Sequence, residues 1–259
     1  MERIESKKNQ LITHVTGLAS RRKYRRESGE FVAEGSKLFF DALNSLLDET
    51  FRRRTGIEIT TVICSESIDP PDIPAGIRGV VVPDRLFEYI STQENSQGII
   101  FMAKIPEYED FDIGRTIILD GVQDPGNVGT VIRSAAACGL DSVILHGGCA
   151  DPYSSKTVRA TMGAIFRIPV YETEIDEISR LTGGKRVAAA KMDAQKDIRE
   201  MDWEDCIPVV GNEGAGIGAQ MSAICTDAFY IPMRGDVESY NAAIAASIIM
   251  WESSRNIQW

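Results

Sequence analysis

With 259 residues, 43% of them hydrophobic, the chain holds enough apolar material for one large domain or two ordinary ones without covalent staples. No apolar run reaches bilayer-spanning length, and the charged N-terminal residues lack the apolar core of a signal peptide, so a cytoplasmic protein with no membrane partner is expected. Five cysteines (Cys64, Cys138, Cys149, Cys206, Cys225) without a C-x-x-C pair, and only two histidines, point away from a disulfide framework or a metal site.

The net charge of −10 is unevenly spread: residues 1–54 carry 12 Lys and Arg against 8 Asp and Glu, leaving 16 against 30 for the remainder. Residues 4–28 place Ile4, Leu11, Val15 and Leu18 at helical spacing, then run into Arg21, Arg22, Lys23, Tyr24, Arg25 and Arg26. Such a basic cluster with an interleaved ring suits a phosphate backbone and a stacked base, and equally a solvated helix end. Residues 31–33 read as a strand, 36–47 as an amphipathic helix closed by the cationic Arg52–Arg54 region, 57–64 and 80–82 as strands, 84–90 as a helix and 99–103 as a strand. This alternation predicts a small α/β domain over residues 1–105, with the proline-rich 69–74 as an internal loop. The polar, acidic stretch 105–114 marks the boundary.

In residues 106–259 short apolar strands are expected at 116–119, 142–145, 168–170, 187–190, 208–210 and 229–231. Helices are expected at 126–138, 154–161, 174–182 and 239–254. Near-continuous apolar strands alternating with helices predict a parallel sheet covered on both faces. His146 falls in a loop after the second of these strands.

Three segments put glycine and small polar residues directly after apolar β-branched runs: LDGVQDPGNVGTVIR at 119–133, VGNEGAGI at 210–217 and IPMRGDVESYN at 231–241. Chain breaks of this kind at strand ends let the backbone curl around a ligand, and a parallel sheet binds ligands beyond the carboxyl ends of its strands. The phosphate-loop pattern is missing, and Gly121, Gly126 and Gly129 do not fit G-x-G-x-x-G. The EGAGIG turn at 213–218 imitates the glycine-rich turn of Rossmann-type methyltransferases. It lies too close to the C-terminus for the rest of a doubly wound sheet to follow.

The three segments, in this order, resemble the three motifs of the SpoU/TrmH-type RNA ribose methyltransferases, of the SPOUT class of S-adenosylmethionine enzymes. More loosely, FVAEGSKL at 31–38 and ISTQENSQGI at 90–99 resemble that family's substrate-binding domain, of the ribosomal-protein type. The resemblance implies a C-terminal α/β domain with a parallel sheet and a deep trefoil knot. It also implies S-adenosylmethionine as cofactor, structured RNA as substrate with rRNA favoured over tRNA, and a homodimer. For the cofactor it implies Gly211, Asn212, Gly214, Ile231, Met233 and Tyr240, where the family usually has Leu.

For chemistry it implies Arg133 and Asn127, with Glu213, Ser239 and Asn241 beside them. A guanidinium is a poor base, so Arg133 is expected to hold the target phosphate and polarise the ribose hydroxyl. Glu213 is an alternative proton acceptor if burial raises its pKa, or else a carboxylate capping backbone N–H groups. Ser239 and Asn241 either cap the final helix or orient the ligands. Lys156 and Arg159 are expected to join the basic cluster on RNA phosphates. The apolar final helix with Trp251 suits a dimer interface or a core. Two other readings stay open, a non-catalytic RNA-binding relative and a nicotinamide-dependent enzyme.

Overall fold

The computed structural model describes residues 1–108, 113–234 and 239–255. In chain order its elements begin with β1 (Glu2–Arg3), α1 (Gln10–Ser20), α2 (Arg22–Ser28), β2 (Glu30–Glu34), α3 (Ser36–Leu47), α4 (Glu49–Thr55), β3 (Ile59–Ser65), β4 (Arg78–Val82), α5 (Asp84–Ile90) and β5 (Ile99–Lys104). They continue with β6 (Thr116–Asp120), α6 (Pro125–Ala137), β7 (Ser142–His146), α7 (Ser155–Ala160), β8 (Val170–Glu172), α8 (Ile175–Leu181), β9 (Arg186–Ala190) and β10 (Lys196–Asp197). The last are β11 (Cys206–Gly211), α9 (Ala219–Ile224), β12 (Asp227–Tyr230) and α10 (Ala242–Ser253).

Two compact units result, Met1–Glu107 with Asp151–Arg167, and Tyr108–Ala150 with Ile168–Trp259. The first holds a sheet ordered β1-β4-β3-β5-β2, in which β5 runs antiparallel to both β2 and β3. A division at 105/106 assigns 151–167 to the second domain, but this segment packs with the first unit. The cause is apolar: Tyr153, Val158, Ile165 and Phe166 are buried in one cluster with Phe31, Phe39 and Phe101. The Phe31 and Tyr153 rings lie 5.0 Å apart.

The helix expected from 4–28 is two helices. Arg21 is extended (φ −127°, ψ 112°), and Asn9 caps α1 by accepting the Leu11 N–H at 2.9 Å.

The second unit is a wholly parallel sheet ordered β10-β12-β9-β11-β6-β7-β8. In register, Gly211 ends β11 beside Asp120, the end of β6, so the first two glycine-rich segments leave the sheet as neighbours. The third follows β12. The strand expected at 168–170 starts two residues later, at Val170 after Pro169, and the helix expected at 239–254 starts at Ala242, because Asn241 is its N-cap. β1, β10 and α9 are too short or too weakly patterned to be read from sequence. Of the boundary stretch 105–114, residues 109–112 lie outside the described residues.

Candidate active site

The carboxyl ends of β9, β11 and β12 and the start of α10 enclose a cavity of about 480 Å³ in the second unit. Gly211, Asn212, Glu213 and Gly214 line it from the second glycine-rich segment, and Ile231, Met233, Ser239 and Tyr240 from the third. Residues 235–238 of that third segment lie outside the described residues.

The loop after β11 closes on itself. The Asn212 N–H donates to the Gly216 carbonyl at 2.9 Å and the Gly216 N–H returns to the Asn212 carbonyl at 3.0 Å. Asn212 Oδ1 accepts the N–H groups of Gly214 and Ala215, each at 2.9 Å, while its Nδ2 donates to the Gly121 carbonyl at 2.8 Å. A side chain at Gly211 would run into the backbone of Gly216 and Ile217, so glycine is required there by close approach. Asp120, buried at the end of β6, fastens the far side of this loop: its Oδ2 accepts the Gly218 N–H at 2.6 Å and its Oδ1 pairs with His146 Nδ1 at 2.8 Å.

One chain of side chains ties the three segments together. Asn127 Nδ2 donates to Glu213 Oε1 at 2.5 Å, and Asn127 Oδ1 accepts from Asn241 Nδ2 at 3.1 Å. Asn241 Oδ1 also accepts the Ala243 and Ile244 N–H groups at 3.0 and 3.3 Å, so capping α10 and joining the network are simultaneous roles. Asp124 caps α6 and accepts the Asn127 N–H at 2.9 Å, with Pro125 in the first turn.

Several expectations change here. Glu213 is exposed, so the burial on which a proton-acceptor role would rest is missing. Arg133 projects from α6 into solvent, is not part of the cavity wall, and makes no hydrogen bond or ion pair among the described residues. His146 is not in a loop; it ends β7 and is buried. Tyr240 is 37% exposed and lines the cavity, its hydroxyl 3.4 Å from the Pro232 carbonyl it donates to.

In the first unit, Arg21, Lys23 and Arg26 are exposed, as are Lys156 and Arg159 of α7, and Arg22 is half-buried. Arg25 leaves the RNA-contacting set: it is 5% exposed, with Nε and Nη2 donating to Asp151 Oδ2 at 2.8 and 2.5 Å and Nη1 to the Leu18 carbonyl. A buried guanidinium holding a carboxylate is an internal tie. Tyr24 is likewise engaged, its ring under the Arg21 guanidinium at 4.9 Å and its hydroxyl 2.8 Å from His14 Nδ1.

Sequence reasoning passed over Ala190, which ends β9, and Lys191, Met192 and Asp193, which follow it, all lining the cavity, and the Asp120 clasp. Both stand at carboxyl ends of strands, the one signal that could have found them. No glycine marks 190–193.

A fully parallel sheet with a cavity at its carboxyl ends, lined by glycine backbone and by Ile217, Ile231 and Met233, is the nucleoside-binding arrangement of an α/β enzyme. The profile of the SpoU rRNA Methylase family matches residues 114–251, and that of an MRM3-like substrate binding domain matches residues 9–101. The chain is 32% identical to the Bacillus subtilis 23S rRNA (guanosine(2553)-2'-O)-methyltransferase RlmP, across 97% of this chain and 98% of that protein. Among solved structures, the AdoMet-bound rRNA methyltransferase from Sinorhizobium meliloti superimposes with a TM-score of 0.85 at 28% identity, covering 100% of this chain and 99% of that one. An RNA 2'-O ribose methyltransferase gives 0.76 at 25% identity, covering 98% of each. The chain belongs to the SpoU rRNA methylase family, the SpoU/TrmH group of S-adenosylmethionine-dependent RNA methyltransferases.

The residues present fit that cofactor. Ile217, Ile231 and Met233 offer an apolar bed for a flat base, backbone groups at Gly211 and Ile231 can read its edge, and Asn212, Ser239 and Lys191 give polar ground for ribose and amino-acid parts.

Proposed function

We infer that the chain methylates a ribose 2′-hydroxyl of ribosomal RNA, in the cytoplasm and as a homodimer, with the loops around the cavity threaded as a deep trefoil knot. The observation that carries the reading is Asn127, whose amide bridges Glu213 and Asn241 and so joins all three motifs at the rim of the cavity. Likeness over nearly its full length to a protein named for 2'-O-methylation of 23S rRNA supports the ribosomal substrate.

When bound, S-adenosylmethionine supplies an electrophilic methyl group on a sulfonium centre. This chain's residues hold and orient. Asn212, Asp120 and the Gly211 close approach fix the loop wall, and Asn127 fixes Glu213 against α10. Orientation of the hydroxyl against the methyl supplies much of the rate of an in-line displacement.

Arg133, solvent-facing on α6, is assigned to the partner's cavity, where its forked cation holds the target phosphate and polarises the hydroxyl. α6 packs against α10, with Ser134 Oγ 2.9 Å from Ser247 Oγ, and α10 exposes Ile244 and Trp251, about two turns apart. Such apolar exposure beside a functional cation favours an isologous interface. Arg21, Lys23, Arg26, Lys156 and Arg159 supply cations for the RNA backbone, so affinity is salt-sensitive.

Ribose-methylation maps of RNA from wild-type and deletion cells test this reading. It predicts one ribosomal position that loses its methyl group on deletion and regains it with the wild-type chain but not with Arg133→Ala. Identical maps, or full rescue by Arg133→Ala, would remove it. A nicotinamide enzyme gains no support from the cavity, which lacks the dinucleotide glycine spacing.

A further inference from the structure

The two N-terminal segments that resemble a substrate-binding domain converge, in the first unit, on a cavity of about 160 Å³. Gly35, Lys37 and Leu38 come from 31–38, Gln93 and Gln97 from 90–99, and Arg159 and Met162 from the α7 segment. We propose that this cavity takes one unstacked nucleotide of the RNA, with the base between the two amides and the Leu38–Met162 surface and the phosphate on Lys37 and Arg159. The proposal rests on the RNA methyltransferase reading and deepens it.

Hydrogen bonding fixes the two amides in complementary senses. Gln97 Oε1 accepts from Ser36 Oγ at 3.0 Å and from the Lys37 N–H at 3.4 Å, which leaves its NH₂ group as the open donor. Gln93 Nε2 donates to the Glu34 carbonyl at 3.0 Å, which leaves Oε1 as the open acceptor. The cavity lining thus offers one open donor and one open acceptor, the two kinds of group that the acceptor and donor on the pairing edge of a base would meet.

Glu34 is spent internally, accepting Ser91 Oγ at 2.6 Å and the Thr92 N–H and Oγ1 at 2.7 and 2.8 Å. This holds the Gln93 turn against Gly35, whose φ of +126° only glycine adopts freely. Met162, 50% exposed, offers a flexible polarizable face of the kind that packs on flat rings.

Neither Lys37 nor Arg159 has an ionic partner among the described residues, and both are exposed. Because Glu34 and Asp41 also border the cavity, formal charge there balances, so a bare anion gains little and the base must contribute recognition. The volume is on the scale of one base.

The test uses the full-length protein with ¹³C-methyl-labelled methionine, the Met162 signal being assigned with Met162→Leu. It is titrated with AMP, GMP, CMP and UMP, with ribose 5-phosphate as the control. The proposal expects a saturable shift of the Met162 methyl with at least one nucleotide, none with ribose 5-phosphate, and affinity weakened about tenfold in Arg159→Met and in Gln97→Glu, the scale of one lost charge-assisted or base-edge contact. No saturable shift, an equal response to ribose 5-phosphate, or unchanged affinity in both variants would overturn it. RNA methylation with an unchanged KM in both variants would overturn it while leaving the enzymatic reading intact. A wild-type chain that binds nucleotide here yet transfers no methyl group would remove the enzymatic reading and leave this site standing.

Discussion

Asn127 is the residue on which the proposed active site turns, because its one amide spends both ends on the other two motifs. Replacing it with Ala frees Glu213 and Asn241 at once. Methyl transfer is expected to fall about a hundredfold in kcat, the scale of a misplaced reacting group, while cofactor affinity, set by the Gly211–Ile231 walls, changes little. Single-turnover rates and cofactor titration check the split. Gly211→Ala makes the opposite prediction, since any side chain there drives the Gly216 backbone away: cofactor binding is lost, and overpacking lowers stability by about 1–3 kcal/mol, measurable by denaturant unfolding.

Sequence reading reached both residues through the resemblance of the glycine-rich segments to the family's motifs, while the pattern of glycine after apolar runs placed those segments at strand ends. It offered Arg25 to the RNA backbone and Tyr24 to a stacked base, and could not see that Asp151, distant in sequence, claims the guanidinium or that His14 holds the phenol. A side chain's partner is a property of the fold, not of its neighbours in the chain.

At the scale of elements, α10 both buries Ala243, Ala246, Ile249 and Met250 and starts at the cavity. Asn241 is the hinge between these roles. Asn241→Asp keeps an Oδ that caps the helix and loses the Nδ2 donor to Asn127, so stability holds while activity drops; Asn241→Ala loses the cap as well and costs about 1 kcal/mol more. Thermal unfolding and methyl transfer on the two variants separate the roles, and equal stabilities would contradict the capping assignment. The strands were legible because parallel sheets bury both faces and read as apolar runs. Their starts slipped where proline or a cap shifted the first bonded residue, as at Val170 and Ala242.

Under the proposed homodimer, with Arg133 assigned to the partner's cavity, a mixture of Arg133→Ala and Gly211→Val chains is expected to form heterodimers with one intact composite site and to recover activity towards a quarter of wild type for random pairing. No recovery on mixing would place Arg133 in its own subunit's chemistry.

Over the whole molecule, three thiols link stability to pH. Burial pushes Cys64, Cys206 and Cys225 from the ordinary 9.0 up to about 11. Between these values the unfolded chain releases thiol protons that the folded chain keeps, so the folded state binds more protons and stability falls as pH rises from about 9 to about 11. Denaturant midpoints are expected to drop more steeply over that window in wild type than in Cys206→Ala/Cys225→Ala, and parallel profiles would remove the thiols from the account. The two-unit organisation was only partly legible, since 151–167 lies within the range of the second unit and packs with the first through Tyr153, Val158 and Phe166. An apolar pattern says that a segment is buried, not which core receives it.

The proposed passage of a methyl group to a ribose oxygen rests on one cavity lined by the second and third glycine-rich segments and braced by Asn127 of the first. Its most direct measurement is transfer of labelled methyl from S-adenosylmethionine to ribosomal RNA, followed by alkaline hydrolysis. A 2′-O-methyl group blocks cleavage of its own phosphodiester, so the label is predicted in an alkali-resistant dinucleotide, from the wild-type chain and not from Asn127→Ala. Label released in mononucleotides, or transfer undiminished by Asn127→Ala, would contradict it.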